Sequence, residues 1–411
     1  MILKKTSNLH ISGQSNLLRR RGFILGTLIV LCYVLVFYEI YLTHTFTSTV
    51  QYHYYYENVT IEDPSAIHIC MILRGKKTVN RGITMLKSIL YYQGRMNGHG
   101  DNCRLQHLMR SERLCQGALT PRYRPLKFHI IGDSDARNTT RFYFERLSLS
   151  SFKWYLYNIE DYLPKFSHVP TLHAAGSTPL LKLMIPEILP ANVLKAIVID
   201  SDLLFNDNIV DLWDHFDRFD EDQAYGCAWE QRGFYRDCKD APSPPLPWHG
   251  LNSGVQLMDL VKMRQMYWHS LWRNAAGSFL RWRLVLGQTH QDILNSIIRH
   301  YPRILYRLPC EWNVQLCYPP QPNCCPVVWY TKLANEADCV SRPGEYGSEI
   351  RPNMAKIIHF NTHPKPEGEA WDNSSEFPKI RINSSYTTQE MKSQFFVVYE
   401  SFKAVPLSCF T

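Results

Sequence analysis

The 411-residue chain reads as an α/β protein built on a mostly parallel sheet. Three observations predict it. Short β-branched runs alternate with stretches of helical period. The apolar run Ala196-Ile197-Val198-Ile199 stops abruptly at Asp200-Ser201-Asp202. Hydrophobic content of 45% with 13% aromatics is enough for an ordinary globular core.

The first element precedes the body. Gly22 to Tyr38 is uncharged and strongly apolar, follows Arg19-Arg20-Arg21, and continues past Glu39 into Ile40-Tyr41-Leu42. A helix over 22–42 is long enough for a thin bilayer, and the basic cluster before it puts residues 1–21 in the cytosol. The reading is a signal anchor, with a stem over 43–65 and a lumenal body over 66–405. A cleaved signal peptide competes, but the leader is long and no small-x-small site follows it. Of the formal charge of +8, residues 1–43 carry five basic groups and one acid, leaving 40 basic and 36 acidic groups, or +4, beyond them. Without a dense Lys/Arg stripe, nucleic-acid binding has no support.

Two features agree with a lumenal setting. Four Asn-x-Ser/Thr sequons begin at Asn58, Asn138, Asn373 and Asn383, each a candidate glycosylation site. Eleven of the 12 cysteines lie beyond the anchor and none forms a Cys-x-x-Cys pair, so disulfides are favoured over zinc. Cys103 and Cys115 share one loop and Cys317, Cys324, Cys325 and Cys339 another; the pairing is not readable from spacing.

The body opens with a strand at 67–73, a turn at Arg74-Gly75-Lys76 and a helix with Ile83, Leu86, Ile89 and Leu90 on one face. Residues 93–124 read as a polar inserted loop. Strands follow at 127–131 and 152–157. Leu180 to Leu189 is expected to be helical, kinked at Pro186. The strand ending at Asp200 comes next, then a short helix with Leu212, Trp213, Phe216 and Phe219 on one face. Later elements are Asn252–Met258, a helix from His290 to His300, and a strand at 356–360.

In such sheets ligands bind beyond the carboxyl ends of strands, where Asp200 and Asp202 stand. Strand alternation would turn both carboxylates to one side, able to share a hard cation such as Mn²⁺ or Mg²⁺. The competing reading is a capped turn. His359 could complete a metal site or be a buried histidine bonded to a carbonyl. Lys182, in an apolar segment, could meet phosphate or snorkel to solvent. Asn252 and Ser253 precede Gly254, which would let backbone approach a ligand or simply turn into a strand. Asp292 sits three residues after Thr289, the spacing of a capping box, and could otherwise face a reacting sugar.

Five segments, taken in order, resemble the retaining glycosyltransferases of family 8. They are Ile197–Asp202, Leu251–Val255, Gln291–Asn295, Leu308–Leu316 and Ile357–Asn361. Within that family they are most similar to the xylosyltransferase domain of LARGE-type enzymes, and also to glucoside xylosyltransferases. The resemblance covers about 66–405 and implies a GT-A fold, a Mn²⁺ ion and a UDP-sugar donor, with UDP-xylose favoured. By position it implies Asp200, Asp202 and His359 as metal ligands. Lys182, Ser201, Ser253 and Lys365 would lie at the donor, and Asn252 and Asp292 around the donor sugar. It further implies a single-pass type II Golgi membrane protein that modifies a glycan on glycoproteins, of the O-mannosyl, matriglycan type, and it admits a homodimer. The chain stops after one such domain and carries the Cys103/Cys115 loop, two departures that bear on the acceptor. A glucosyl- or galactosyltransferase, or an inactive lumenal binding protein of the same fold, are the alternatives.

Overall fold

The structure is a computed structural model that describes residues 26–27, 30–36, 63–97, 100–105, 123–231, 250–316, 325, 327–328, 353–361, 365–366 and 388–411. The chain forms two units, Met1–Thr60 and Ile61–Thr411. In the first, the described residues are helical, and Val30, Leu31 and Tyr33 to Val36 are exposed. Among the described residues no helix is long and apolar enough to cross a membrane.

The second unit is built on a seven-stranded sheet. Its strands are β1 (Ile67–Leu73), β2 (Leu126–Gly132), β3 (Phe152–Asn158), β4 (Lys195–Ile199), β6 (Tyr225–Trp229), β7 (Leu251–Asp259) and β8 (Leu305–Arg307). The order is β3-β2-β1-β4-β7-β6-β8. β3, β2, β1 and β4 run parallel; β7 is antiparallel to both β4 and β6, and β8 is parallel to β6. The expected parallel core is therefore present, flanked by one reversed strand. A second sheet joins β5 (Leu203–Phe205), β9 (Val314–Gln315) and β12 (Ile357–His359), with β12 between the other two. The short parallel pair β10 (Val327–Val328) and β11 (Asn353–Met354) stands apart.

Period two explains why the central strands are apolar on both faces. Ile67, Ile69, Met71, Ile197 and Ile199 enter one core layer, while Cys70, Ala196 and Val198 enter the other. The first layer is covered by α1 (Gly75–Tyr92), whose Ile83, Leu86, Ile89 and Leu90 are all buried. Asp133 links α1 to α2 (Ser134–Phe144). It caps α2 by accepting from Ala136 N at 2.8 Å and also accepts from Gly75 N at 3.1 Å. Gly75 has φ +71, a conformation that favours glycine. The opposite layer is covered by α3 (Trp268–Arg283) and α4 (His290–His300), the latter as the sequence predicts.

Leu180 to Leu189 is not one kinked helix. A 3-10 turn over Thr178–Met184 passes into a four-residue α-helix at Ile185–Ile188, with Pro186 in its first turn, where a missing N–H costs nothing. Asn138 is exposed on α2; Asn58, Asn373 and Asn383 lie outside the described residues.

Cys103 pairs with Cys409, 306 residues away, and Cys310 pairs with Cys325. Cys115 lies outside the described residues, as do Cys317, Cys324 and Cys339. The Cys103–Cys409 bond holds a docked tail: Phe410 bridges Met96, and Thr411 N donates to Arg95 O at 3.0 Å. Cys409 and Phe410 of this tail share one core layer with Phe395 and Phe402 of α5 (Thr388–Ala404). Replacing Cys409 by Ser is expected to cost about 2–4 kcal/mol, because so long a loop is released in the unfolded chain. Thermal unfolding with and without reductant measures it: reductant should lower the wild-type midpoint more than the variant's.

Candidate active site

The two carboxylates do not sit on a strand. β4 ends at Ile199, and residues 200–202 form a bend before β5. Strand alternation is therefore not what aligns them. Backbone bonds do so instead. Asp200 N donates to Gly254 O at 2.9 Å, extending the β4–β7 ladder by one rung, and Asp202 O accepts from Phe360 N at 2.8 Å. Because β12 pairs antiparallel with β5, His359 stands opposite Leu203, one residue from Asp202. That pairing brings a residue from far down the chain to the acidic bend.

Asp200, Asp202 and His359 each offer a ligand atom, and these atoms lie within 4.8 Å of one another. His359 Nε2 is 3.6 Å from Asp202 Oδ1 and 3.9 Å from Asp200 Oδ2. These gaps are too long for hydrogen bonds, but suit three atoms ligating one ion at roughly 2.1 Å each. Asp202 and His359 are buried, whereas the Asp200 side chain is 36% exposed.

The imidazole is set by its neighbours. Asn313 Nδ2 donates at 3.0 Å to the backbone carbonyl of Asn252, a pure acceptor, which fixes the amide's orientation. Asn313 Oδ1 therefore faces His359 Nδ1 at 3.1 Å and accepts its proton. The Nε2 lone pair is left pointing at the carboxylates, the tautomer a metal ligand needs. Gly254 lets this happen: a Cβ there would lie 2.3 Å from the His359 ring.

Lys182 is buried, and its ammonium meets Asp200 Oδ1 at 2.7 Å and the Ser253 carbonyl at 2.6 Å. That carbonyl is available because the β6–β7 register shifts between Cys227 and Ala228, leaving residues 253–255 unpaired with β6. Gln256 Nε2 also donates to it, at 2.7 Å. The lysine is thus neither snorkelling nor free. Lys365 donates to Asp202 Oδ2 and, at 2.8 Å, to Phe360 O. Burial pushes the Asp202 carboxyl up, but the neighbouring His359 and the Lys365 ammonium overcome it and hold it well below the usual range.

The remaining candidates divide. Asn252 Oδ1 accepts from Gly254 N at 3.1 Å, and its Nδ2 donates to Glu230 Oε2 at 3.2 Å. Ser253 N and Oγ both donate to Gln291 Oε1, at 3.0 and 2.8 Å. Ser201 is buried, its Cβ about 4.0 Å from where a Cβ on Gly82 of α1 would lie. Asp292 accepts from Gln288 N at 2.7 Å, holding the turn that opens α4. Burial raises its pKa, and the Gln288 and Gly287 amides pull it back down.

The sequence reading gave no role to Asn313, Gln291, Glu230 or Gln256. The first had a visible signal. In Trp312-Asn313-Val314-Gln315-Leu316, two amides interrupt a buried apolar run, and buried amides are bonded to something. Gln315 and Gln231 answer each other across the same floor, at 3.0 Å in both directions.

An acidic bend and a histidine beside a buried lysine, at the end of a parallel sheet, invite comparison with enzymes that handle diphosphates. The profile of "Glycosyl transferase family 8" matches residues 83–372. This chain belongs to glycosyltransferase family 8. The family-8 chain is 30% identical over 301 residues to "Xylosyl- and glucuronyltransferase LARGE2s" of Gallus gallus, covering 73% of this chain and 34% of that one. It is also 30% identical over 258 residues to "Xylosyl- and glucuronyltransferase LARGE1" of Homo sapiens, covering 62% and 30%. It therefore spans about a third of the length of these curated relatives. The crystal structure of mouse xyloside xylosyltransferase 1 aligns over 72% of this chain and 98% of its own, with TM-score 0.48 and 20% identity. Family membership and the observed sheet together make this a GT-A-like α/β glycosyltransferase fold with a mixed, mostly parallel sheet. The donor set of two carboxylates and one imidazole is compatible with a divalent metal.

Proposed function

We propose that the chain is a Mn²⁺-dependent retaining glycosyltransferase that moves xylose from UDP-xylose to a glycan on a glycoprotein. The observation that carries this reading is the convergence of Asp200, Asp202 and His359 beside Lys182 in a family-8 chain. The names of its curated relatives carry xylosyl and glucuronyl transfer, which favours xylose over glucose and galactose. Residues 22–42 would anchor it as a single-pass type II Golgi protein, with 43–65 as stem and the glycosyltransferase domain from 66 to 405 in the lumen. Asn58, Asn138, Asn373 and Asn383 would be glycosylated there.

Asp200, Asp202 and His359 are the residues that would hold the cation. When bound, it supplies Lewis-acid neutralisation of a departing diphosphate. Lys182 and Lys365 add fixed positive charge on the same side, where charge builds as the glycosidic bond breaks. Asn252 and Ser253 place amide and hydroxyl groups at the start of β7 to orient the sugar. Attack from the front face within one site is the default, because no carboxylate is fixed as a nucleophile. Asp292 is the residue for a covalent route. Asp292→Asn should keep transfer within about tenfold while lowering stability by about 0.5–2 kcal/mol through the weakened helix start. A loss of about 10³-fold or more, with folding intact, would make it the nucleophile.

The donor is tested by one screen of UDP-xylose, UDP-glucose, UDP-galactose and UDP-glucuronate, with Mn²⁺ and with chelator. UDP-xylose should turn over fastest, by about 10–200-fold over UDP-glucose, the range one hydroxymethyl group allows. Preference for another donor overturns xylose. No turnover of any donor overturns catalysis.

A further inference from the structure

A cavity of about 760 Å³ opens between α1, α2 and α5. Five cationic side chains line it, Lys77, Lys87, Arg146, Lys365 and Lys403, and among the described residues no carboxylate does. Two of the five are already compensated: Lys365 by Asp202, and Lys403 by Glu400 at 3.0 Å. Among the described residues no acid pairs with the other three. Arg146 only donates to Phe142 O at 2.5 Å and lies over the Phe142 ring. Lys87 is 7% exposed and gives one hydrogen bond, to Lys403 O at 2.9 Å.

A buried ammonium without a counter-ion is costly, and proteins usually pair it. Burial pulls the Lys87 pKa down to about 8. The remaining walls carry the rings of Phe142, Tyr143 and Tyr399 and the polar ends of Asn80, Thr84 and Ser408. Phe142 is 50% exposed. Rings for stacking, hydroxyls and amides for hydrogen bonds, and unpaired cations together fit a sugar chain bearing negative charge. The volume is that of a ligand pocket rather than a flat surface. Lys365 lines this cavity while its ammonium reaches Asp202, so one side chain borders both this cavity and the acidic bend.

We propose that this cavity is a binding site for an anionic oligosaccharide carrying carboxylate or sulfate groups, engaged by Lys77, Lys87 and Arg146 as a remote part of the acceptor. The idea rests on the glycosyltransferase reading above, but its test does not need turnover. Full-length protein is titrated calorimetrically with a heparin-derived tetrasaccharide, with neutral xylotetraose, and with inorganic phosphate at matched ionic strength. The tetrasaccharide should bind, xylotetraose should not, and phosphate should not displace it. Lys77→Gln/Lys87→Met should weaken binding about tenfold or more, a change of about 1.4 kcal/mol or larger. Arg146→Gln, at an exposed position, should weaken it as well and guards against misfolding of the double variant. UDP-sugar hydrolysis should be unchanged in both variants.

Equal binding by wild type and both variants overturns the proposal. So does equal affinity for xylotetraose, or full displacement by phosphate, which would mark a site for a compact anion only. The two readings fail separately. Tetrasaccharide binding without turnover of any donor would sink the catalytic reading and leave this site standing. Turnover without tetrasaccharide binding would do the reverse.

Discussion

Asp200→Asn should lower sugar transfer about 10³-fold or more, on the scale of about 4 kcal/mol of lost transition-state stabilisation. The fold should barely notice. Asp200 is the exposed member of its cluster, and Lys182 would keep its bond to the Ser253 carbonyl. The amide can still accept from Lys182, but it withdraws one of the charges a divalent ion needs. Thermal midpoint and circular dichroism should stay near wild type, while Mn²⁺ titration should show weakened binding. Transfer within about tenfold of wild type would sink the assignment of this cluster as the metal site. Asp202 is a poorer test, because its carboxylate also holds Lys365, so its loss mixes chemistry with packing.

The second large effect comes from a residue without a side chain. Gly254→Ala would put a methyl group 2.3 to 2.4 Å from His359 Cε1 and Nδ1, inside van der Waals contact. Something must move. The backbone of Gly254 is held by Asp200 N and by Asn252 Oδ1. The ring would therefore yield, breaking its bond to Asn313 and turning Nε2 away from the carboxylates. We expect a stability loss of about 1–3 kcal/mol from overpacking. Metal affinity should fall about 10–100-fold, as when the partner that orients a ligand histidine is lost. Unfolding curves and Mn²⁺ titration on the same sample measure the two. The double variant Gly254→Ala/His359→Ala should recover most of the stability but none of the metal binding. Failure to recover would show that the clash is with backbone rather than with the ring.

Much of this was legible in the sequence, for identifiable reasons. The continuous apolar runs at 67–73 and 195–199, and the helix signal in 290–300, are local, and each became the expected element. The nearness of His359 to the acidic bend was not local. Nothing near residue 200 announces that β12 will pair with β5, and only the family resemblance linked the two. The alignment of Asp200 and Asp202 was expected for a physical reason that does not hold. A bend held by Gly254 and Phe360, not an alternating strand, sets their directions. The hydrogen bonds of Lys182 depend on a carbonyl freed by a register shift, which leaves no mark in composition. Asn313 could have been suspected, since an amide in a buried apolar run needs a partner, but its partner could not be named. The pairing of Cys103 with Cys409 was hidden because spacing does not select a partner 306 residues away.

That pairing also imposes an order of events during synthesis. Cys103 must wait for 306 more residues before its partner exists. At roughly 5–20 residues per second, the delay is on the order of 15–60 s. Throughout that interval its thiol is available to any nearer cysteine, Cys115 above all. The correct bond therefore has to be reached by exchange or by protection, and it forms only once the tail has docked against Arg95 and Met96. On the lumenal reading proposed above, disulfide exchange should accordingly limit the yield of folded protein more than the stability of the finished fold does.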